Sequence, residues 1–112
     1  MLKAALFSDG TKEYRIPEEP ECGEKVRLRF RTGGGDVDHV YAVIRGAESQ
    51  NGSERLELEK TESFGRFDFY ETEILVGETP LRYDFEIVKG NEVCYYNRLG
   101  VLEAGEIGRA HV

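Results

Sequence analysis

Between Lys25 and Thr32 the chain alternates without a break: Val26, Leu28 and Phe30 are apolar, and Arg27, Arg29 and Arg31 stand between them. A repeat of two is the spacing of a β-strand, whose successive side chains point to opposite faces. The segment therefore predicts a half-buried strand with one dry face and one cationic face. Leu81, Tyr83, Phe85 and Ile87 alternate in the same way with Arg82, Asp84 and Glu86, and Lys89-Gly90-Asn91 leads into Val93 to Tyr96. That order of strand, turn and strand predicts a hairpin.

Shorter strand candidates are Ala4 to Phe7, Tyr14 to Ile16, His39 to Arg45, Arg55 to Lys60 and Phe67 to Glu73. Asp9-Gly10, Gly33-Gly34-Gly35, Asn51-Gly52 and Ser63 to Gly65 separate them, at the spacing of about ten residues found in sandwiches. No window carries a sustained apolar stripe of helical period. The chain has 112 residues, 39% of them hydrophobic, with six Tyr and six Phe, which is enough for one small core. Strands with one wet and one dry face bury the dry faces best as two antiparallel sheets packed together.

The formal net charge is −7, which opposes nucleic-acid binding, since neutralising phosphates requires a basic surface. No apolar run is long enough to span a membrane. The start, Met1-Leu2-Lys3 followed by Ala4-Ala5-Leu6-Phe7 and then Asp9, is expected to be that of a cytoplasmic chain without a signal peptide. Cys22 and Cys94 stand far apart, as in the inter-sheet bridge of an immunoglobulin domain, but there is no Trp to pack on such a bridge and Cys22 lies in a Pro/Glu/Gly loop. Free thiols are expected, and without a Cys-x-x-Cys pair neither points to a metal.

Candidate chemistry is sparse. Gly33-Gly34-Gly35 lacks the Lys-Ser/Thr of a phosphate-binding loop and precedes Asp36, so it reads as a strand connector. His39 and His111 have no second ligand at metal spacing and are expected to face solvent. Asn51-Gly52-Ser53 fits a glycosylation triplet but reads more simply as a hairpin turn. The 22 acidic residues make suggestive pairs inevitable, and no Gly-x-Ser-x-Gly elbow accompanies Ser8, Ser49, Ser53 or Ser63. No catalytic set emerges, and no cofactor is expected.

The feature that stands above this background is aromatic. If Val40, Ala42 and Ile44 face inward, Tyr41 faces out; if Phe67 and Phe69 face inward, Tyr70 faces out. An outward Tyr can carry the apolar face of a pyranose ring while Arg45, Asn97 or Arg98 bonds its hydroxyls. The structural alternative is that strands favour Tyr for packing and cross-strand pairing.

The run Lys25 to Thr32, then Gly35-Asp36-Val37, Gly65-Arg66-Phe67-Asp68-Phe69-Tyr70, Leu81-Arg82-Tyr83-Asp84-Phe85 and the closing Tyr95-Tyr96-Asn97-Arg98-Leu99-Gly100 together resemble one module. It is the N-terminal domain of neopullulanases, cyclomaltodextrinases and maltogenic amylases, and the opening Ala4 to Phe7 and Tyr14 to Pro17 resemble its first strands. The resemblance implies a starch-binding-type sandwich that precedes a barrel hydrolysing α-glucosidic bonds, pairs two subunits, and narrows the partner's cleft for short or cyclic glucans. The acid/base carboxylates would then belong to the barrel, leaving no catalytic residue here. Where relatives place an aromatic residue after the strand ending at Arg45, this chain has Gly46-Ala47-Glu48, and the lack of Trp leaves tyrosines as the only polar-tipped aromatics.

The expected fold is thus all-β, an immunoglobulin-like antiparallel β-sandwich of about seven or eight strands over residues 1–102, with residues 103–112 a linker or tail. The expected carbohydrate-binding residues are Tyr41, Arg45, Tyr70, Tyr95, Tyr96 and Asn97. The expected partners are the C-terminal catalytic barrel of the same gene product, a second subunit in a homodimer, and maltooligosaccharides or cyclodextrins, with no nucleic acid and no membrane. An autonomous glycan-binding module and an unrelated immunoglobulin-like interaction domain are the alternatives. A Cys22–Cys94 bridge would mark the second of these.

Overall fold

The computed structural model describes residues 1–45, 53–77, 82–97 and 100–103. Among them are a short 3-10 turn, Lys3–Ala5, and nine strands: β1 (Arg15–Ile16), β2 (Lys25–Gly33), β3 (His39–Arg45), β4 (Ser53–Glu57), β5 (Glu59–Phe64), β6 (Phe67–Leu75), β7 (Arg82–Lys89), β8 (Glu92–Asn97) and β9 (Gly100–Glu103). They form a four-stranded sheet in the order β1-β2-β6-β5 and a five-stranded sheet in the order β4-β3-β7-β8-β9. All the pairings between these strands are antiparallel.

The dry faces meet as the alternation requires. Val26, Leu28 and Phe30 of β2 pack with Val40 and Ala42 of β3, Phe85 and Ile87 of β7, and Cys94 of β8. Across the two layers the Phe30 and Phe85 rings lie 4.7 Å apart, and the Tyr96 ring stands edge-on to Phe30 at 5.4 Å. Each such side chain contributes about 1.5–3 kcal/mol when fully buried. Arg15 of β1 reaches from the four-stranded sheet to the hydroxyl of Tyr83 on β7, donating through Nη1 at 3.5 Å. Burial pushes the Tyr83 phenol above its ordinary range while Arg15 pulls it back.

Three segments depart from the expected strands. Ala4 to Phe7 is not a strand: Ala5 and Leu6, adjacent in sequence, are both buried, which a two-fold repeat forbids. The chain makes a 3-10 turn there, with Leu6 N–H donating to Lys3 C=O, and only Phe7 pairs, through a single bridge to Arg31. Arg55 to Lys60 is not one strand but parts of two, β4 and β5, in different sheets. Leu58 is the corner, buried, with its N–H donating to Val40 C=O at 2.8 Å. Finally, β9 adds a strand that the sequence period did not announce. The split at Leu58 and the addition of β9 explain why nine strands stand where seven or eight were expected. Residues 104–112, most of the expected linker, lie outside the described residues.

The connectors are specific. Gly34 N–H donates to Arg66 C=O at 2.8 Å, and a Cβ on Gly34 would sit a tight 3.3 Å from that oxygen, so any side chain there would press the two loops apart by a few tenths of an ångström. Gly35, at φ +62°, donates its N–H to Asp68 Oδ2 at 2.8 Å. The register pairs Arg45 with Ser53, and the expected Asn51-Gly52 turn lies outside the described residues.

Candidate functional site

The outward face of the five-stranded sheet brings two of the expected tyrosines into one row. Tyr41 on β3 stands opposite Glu86 on β7, and Glu86 stands opposite Tyr95 on β8. Directly opposed residues share a face, so Tyr41 and Tyr95 lie two strand spacings, about 10 Å, apart with a carboxylate between them. Asn97, two residues beyond Tyr95, projects to the same side by alternation. The Arg45 backbone closes β3 opposite Ser53 and Arg82, while the side chain of Arg45 and the whole of Arg98 lie outside the described residues.

Charged neighbours complete this face. The Arg55 guanidinium of β4 lies over the Tyr41 ring, 3.8 Å from its centroid, and its Nη2 donates to Glu86 Oε1 at 3.0 Å. His39, exposed as expected, stacks its ring 5.9 Å from that of Tyr41 and shares a hydrogen bond with Glu57 at 2.7 Å through Nδ1. A flat aromatic ring flanked by a carboxylate and hydrogen-bonding groups can receive a ring with one apolar face and hydroxyls on its rim. Among the described residues no three His, Cys, Asp or Glu side chains gather in a way that could hold a metal ion.

Two of the expected residues are elsewhere. Tyr70 is a core residue, 6% exposed, and does not face out. The register of β2 with β6 pairs Phe30 with Tyr70, Val26 with Ile74 and Arg31 with Phe69, which turns Tyr70 inward and Phe67 and Phe69 outward. The outward rings are covered by arginine: Arg29 lies 4.1 Å over Phe69, and Arg31 lies 4.4 Å over Phe67. Burial pushes the Tyr70 phenol above its ordinary range. Tyr96 also turns inward, half-buried, with its ring against Phe30 and Phe7.

Arg55 and Glu86 were not among the expected residues. Their signal was available only in pairs, since each belongs to the face through its opposition to Val43 and Tyr41 rather than through any motif.

The family model for the alpha amylase N-terminal ig-like domain matches residues 1–110. The chain belongs to this family. Among solved structures, a cyclomaltodextrinase chain superposes with this alpha-amylase N-terminal domain at a TM-score of 0.79 and 23% sequence identity. The match covers 92% of this chain and 17% of that one, so the domain spans about a sixth of the cyclomaltodextrinase length. Comparison with curated proteins gave no match. Family membership removes the reading of an unrelated immunoglobulin-like module, and the domain's Cys22, exposed, and Cys94, buried, are not bridged to each other. No helix among the described residues is long and apolar enough to cross a membrane.

Proposed function

We propose that the chain is the accessory N-terminal domain of an α-glucan hydrolase of the cyclomaltodextrinase or neopullulanase kind. It acts without catalytic residues of its own, by contact with the catalytic barrel of the same gene product and with a second subunit. Those contacts restrict the cleft to short or cyclic glucans. Maltooligosaccharides or cyclodextrins touch the domain weakly through Tyr41, Tyr95 and Asn97, with Arg45 at the end of the same strand as Tyr41. Cys22 and Cys94 stay in the thiol form, which suits work in the cytoplasm.

The observation that carries this reading is the family match over residues 1–110, joined to a fold shared with a cyclomaltodextrinase. A domain exchange tests it. The N-terminal domain of a cyclomaltodextrinase is replaced by this chain, and hydrolysis of β-cyclodextrin and soluble starch is compared with that of a truncated enzyme lacking the domain. The reading expects the chimera to recover a preference for cyclodextrin that the truncated enzyme has lost. Identical preferences in the chimera and the truncated enzyme would overturn it.

A further inference from the structure

We propose that Arg55 is a built-in occupant of the tyrosine platform, and that a glucan binds the five-stranded sheet by displacing its guanidinium. The inference rests on the glucan reading of this face given above. Its substance is that the two groups a pyranose would use, the Tyr41 ring and the Glu86 carboxylate, are both engaged by one side chain of the protein itself.

The geometry matches the ligand's requirements closely. The guanidinium is planar and weakly hydrated, and it presents hydrogen-bond donors around its rim while its face rests on the ring. At 3.8 Å from the Tyr41 centroid it fills the layer in which a sugar's C–H face would lie. Its Nη2–H donates to Glu86 Oε1, the carboxylate between Tyr41 and Tyr95 that a sugar hydroxyl over the platform would use. The sugar therefore substitutes for the guanidinium group by group, stacking for stacking and donor for donor.

Arg55 is also placed to leave. It projects from β4, the edge strand of its sheet, and its side chain is 51% exposed, so swinging outward disturbs no backbone pairing. The arginines of the other sheet offer a contrast. Arg29 is only 26% exposed and is tied to both Glu62 and Glu71 while lying over Phe69. Arg29 belongs to the wall of its sheet, whereas Arg55 is a removable cover. His39 stays in place beside Tyr41 when Arg55 moves, because its own partner is Glu57.

Titration of the ¹⁵N-labelled chain with β-cyclodextrin and with maltotriose tests this, in the parent and in Arg55→Ala, Arg55→Lys and Arg55→Ala/Tyr41→Ala. Arg55→Ala is expected to bind roughly tenfold more tightly than the parent, equivalent to about 1.4 kcal/mol. Arg55→Lys, which keeps the charge but loses the planar stack, should fall between them. The double variant should lose the gain, because the platform itself is gone. A parent that binds as tightly as Arg55→Ala, or more tightly, overturns the capping role and leaves the glucan reading standing. Absence of binding to every variant at millimolar sugar overturns both. Thermal unfolding of Arg55→Lys, the closest substitute, serves as the control for an intact fold.

Discussion

The outward face of the four-stranded sheet carries Ile16, Phe64 and Leu75, each more than half exposed, whereas the outward face of the five-stranded sheet carries none of the exposed large apolar side chains among the described residues. Both faces contain arginine on aromatic rings, but in different settings. Arg29 lies over Phe69 between the carboxylates of Glu62 on β5 and Glu71 on β6, and Arg31 lies over Phe67 with its Nε donating to Ala5 C=O. Arg55 lies over Tyr41 at an edge, with one carboxylate and open water. The same alternation that dries both inner faces therefore leaves one outer face structural and partly apolar, and the other polar-aromatic and changeable. Arginine, aromatic residues and exposed apolar groups together are what protein contacts use, and tyrosine beside carboxylate is what small polar rings use.

The largest effect is expected at the carboxylate that fastens the four-stranded sheet. Asp68 is buried, accepts from Gly35 N–H and from the Ser63 hydroxyl, and pairs with Lys60 at 3.2 Å. Asp68→Ala should cost about 2–3 kcal/mol, because it leaves two donors without their acceptor, and urea unfolding measures it. The Gly35 N–H, then the Ser63 hydroxyl, hold the Asp68 carboxyl below its ordinary 3.8, against the opposing effect of burial. Its folded value lies under its unfolded one, so the stabilisation is complete above about pH 4 and is lost as pH falls through the folded value. Asp68→Asn should remove that share of the acid sensitivity, visible as a flatter dependence of the urea midpoint between pH 5 and pH 2; an unchanged slope would contradict the assignment.

Next in size, Arg29→Ala should destabilise the fold by about 1 kcal/mol, since it uncovers Phe69 and releases two carboxylates in a partly screened site. Arg55→Ala on the other face should change stability by less than about 0.5 kcal/mol. Equal losses in the two variants would erase the distinction between wall and cover. Smallest of all, Phe64→Ser should leave the urea midpoint within about 0.5 kcal/mol of the parent while reducing concentration-dependent association in sedimentation. Tyr95→Ser should not reduce association, and if it does, the apolar and polar roles of the two faces have been exchanged.

What the sequence disclosed follows the same division. β2, β3 and β7 were legible because Val26/Leu28/Phe30, Val40/Ala42 and Phe85/Ile87 set one parity apart from the other, whereas β8 was legible only as the second arm of a hairpin, with Val93 and Tyr95 on one parity and Cys94 and Tyr96 on the other leaving its inner face open. β6 was misread because both parities carry apolar residues: Phe67 and Phe69 on one, Tyr70 and Ile74 on the other. Bulk alone favoured the phenylalanines as core, and Asp68 made the true inner face look polar. Only the pairing with β2 settles the parity, and only the three partners of Asp68 make its burial tolerable. The N-terminal turn and the Leu58 corner were invisible for a related reason, since each depends on where the chain changes layer. For the site, Tyr41 was legible from its own strand, but its cover, Arg55, comes from a neighbour whose register no local pattern specifies.

Amide chemical-shift mapping of the parent chain with β-cyclodextrin tests the central claim most directly. The account predicts small, saturable shifts at Tyr41, Arg55, Glu86, Tyr95 and Asn97, with β2 and β6 unmoved. Shifts centred on Phe64, Phe67 and Phe69, or a spectrum that does not change at millimolar sugar, would contradict it.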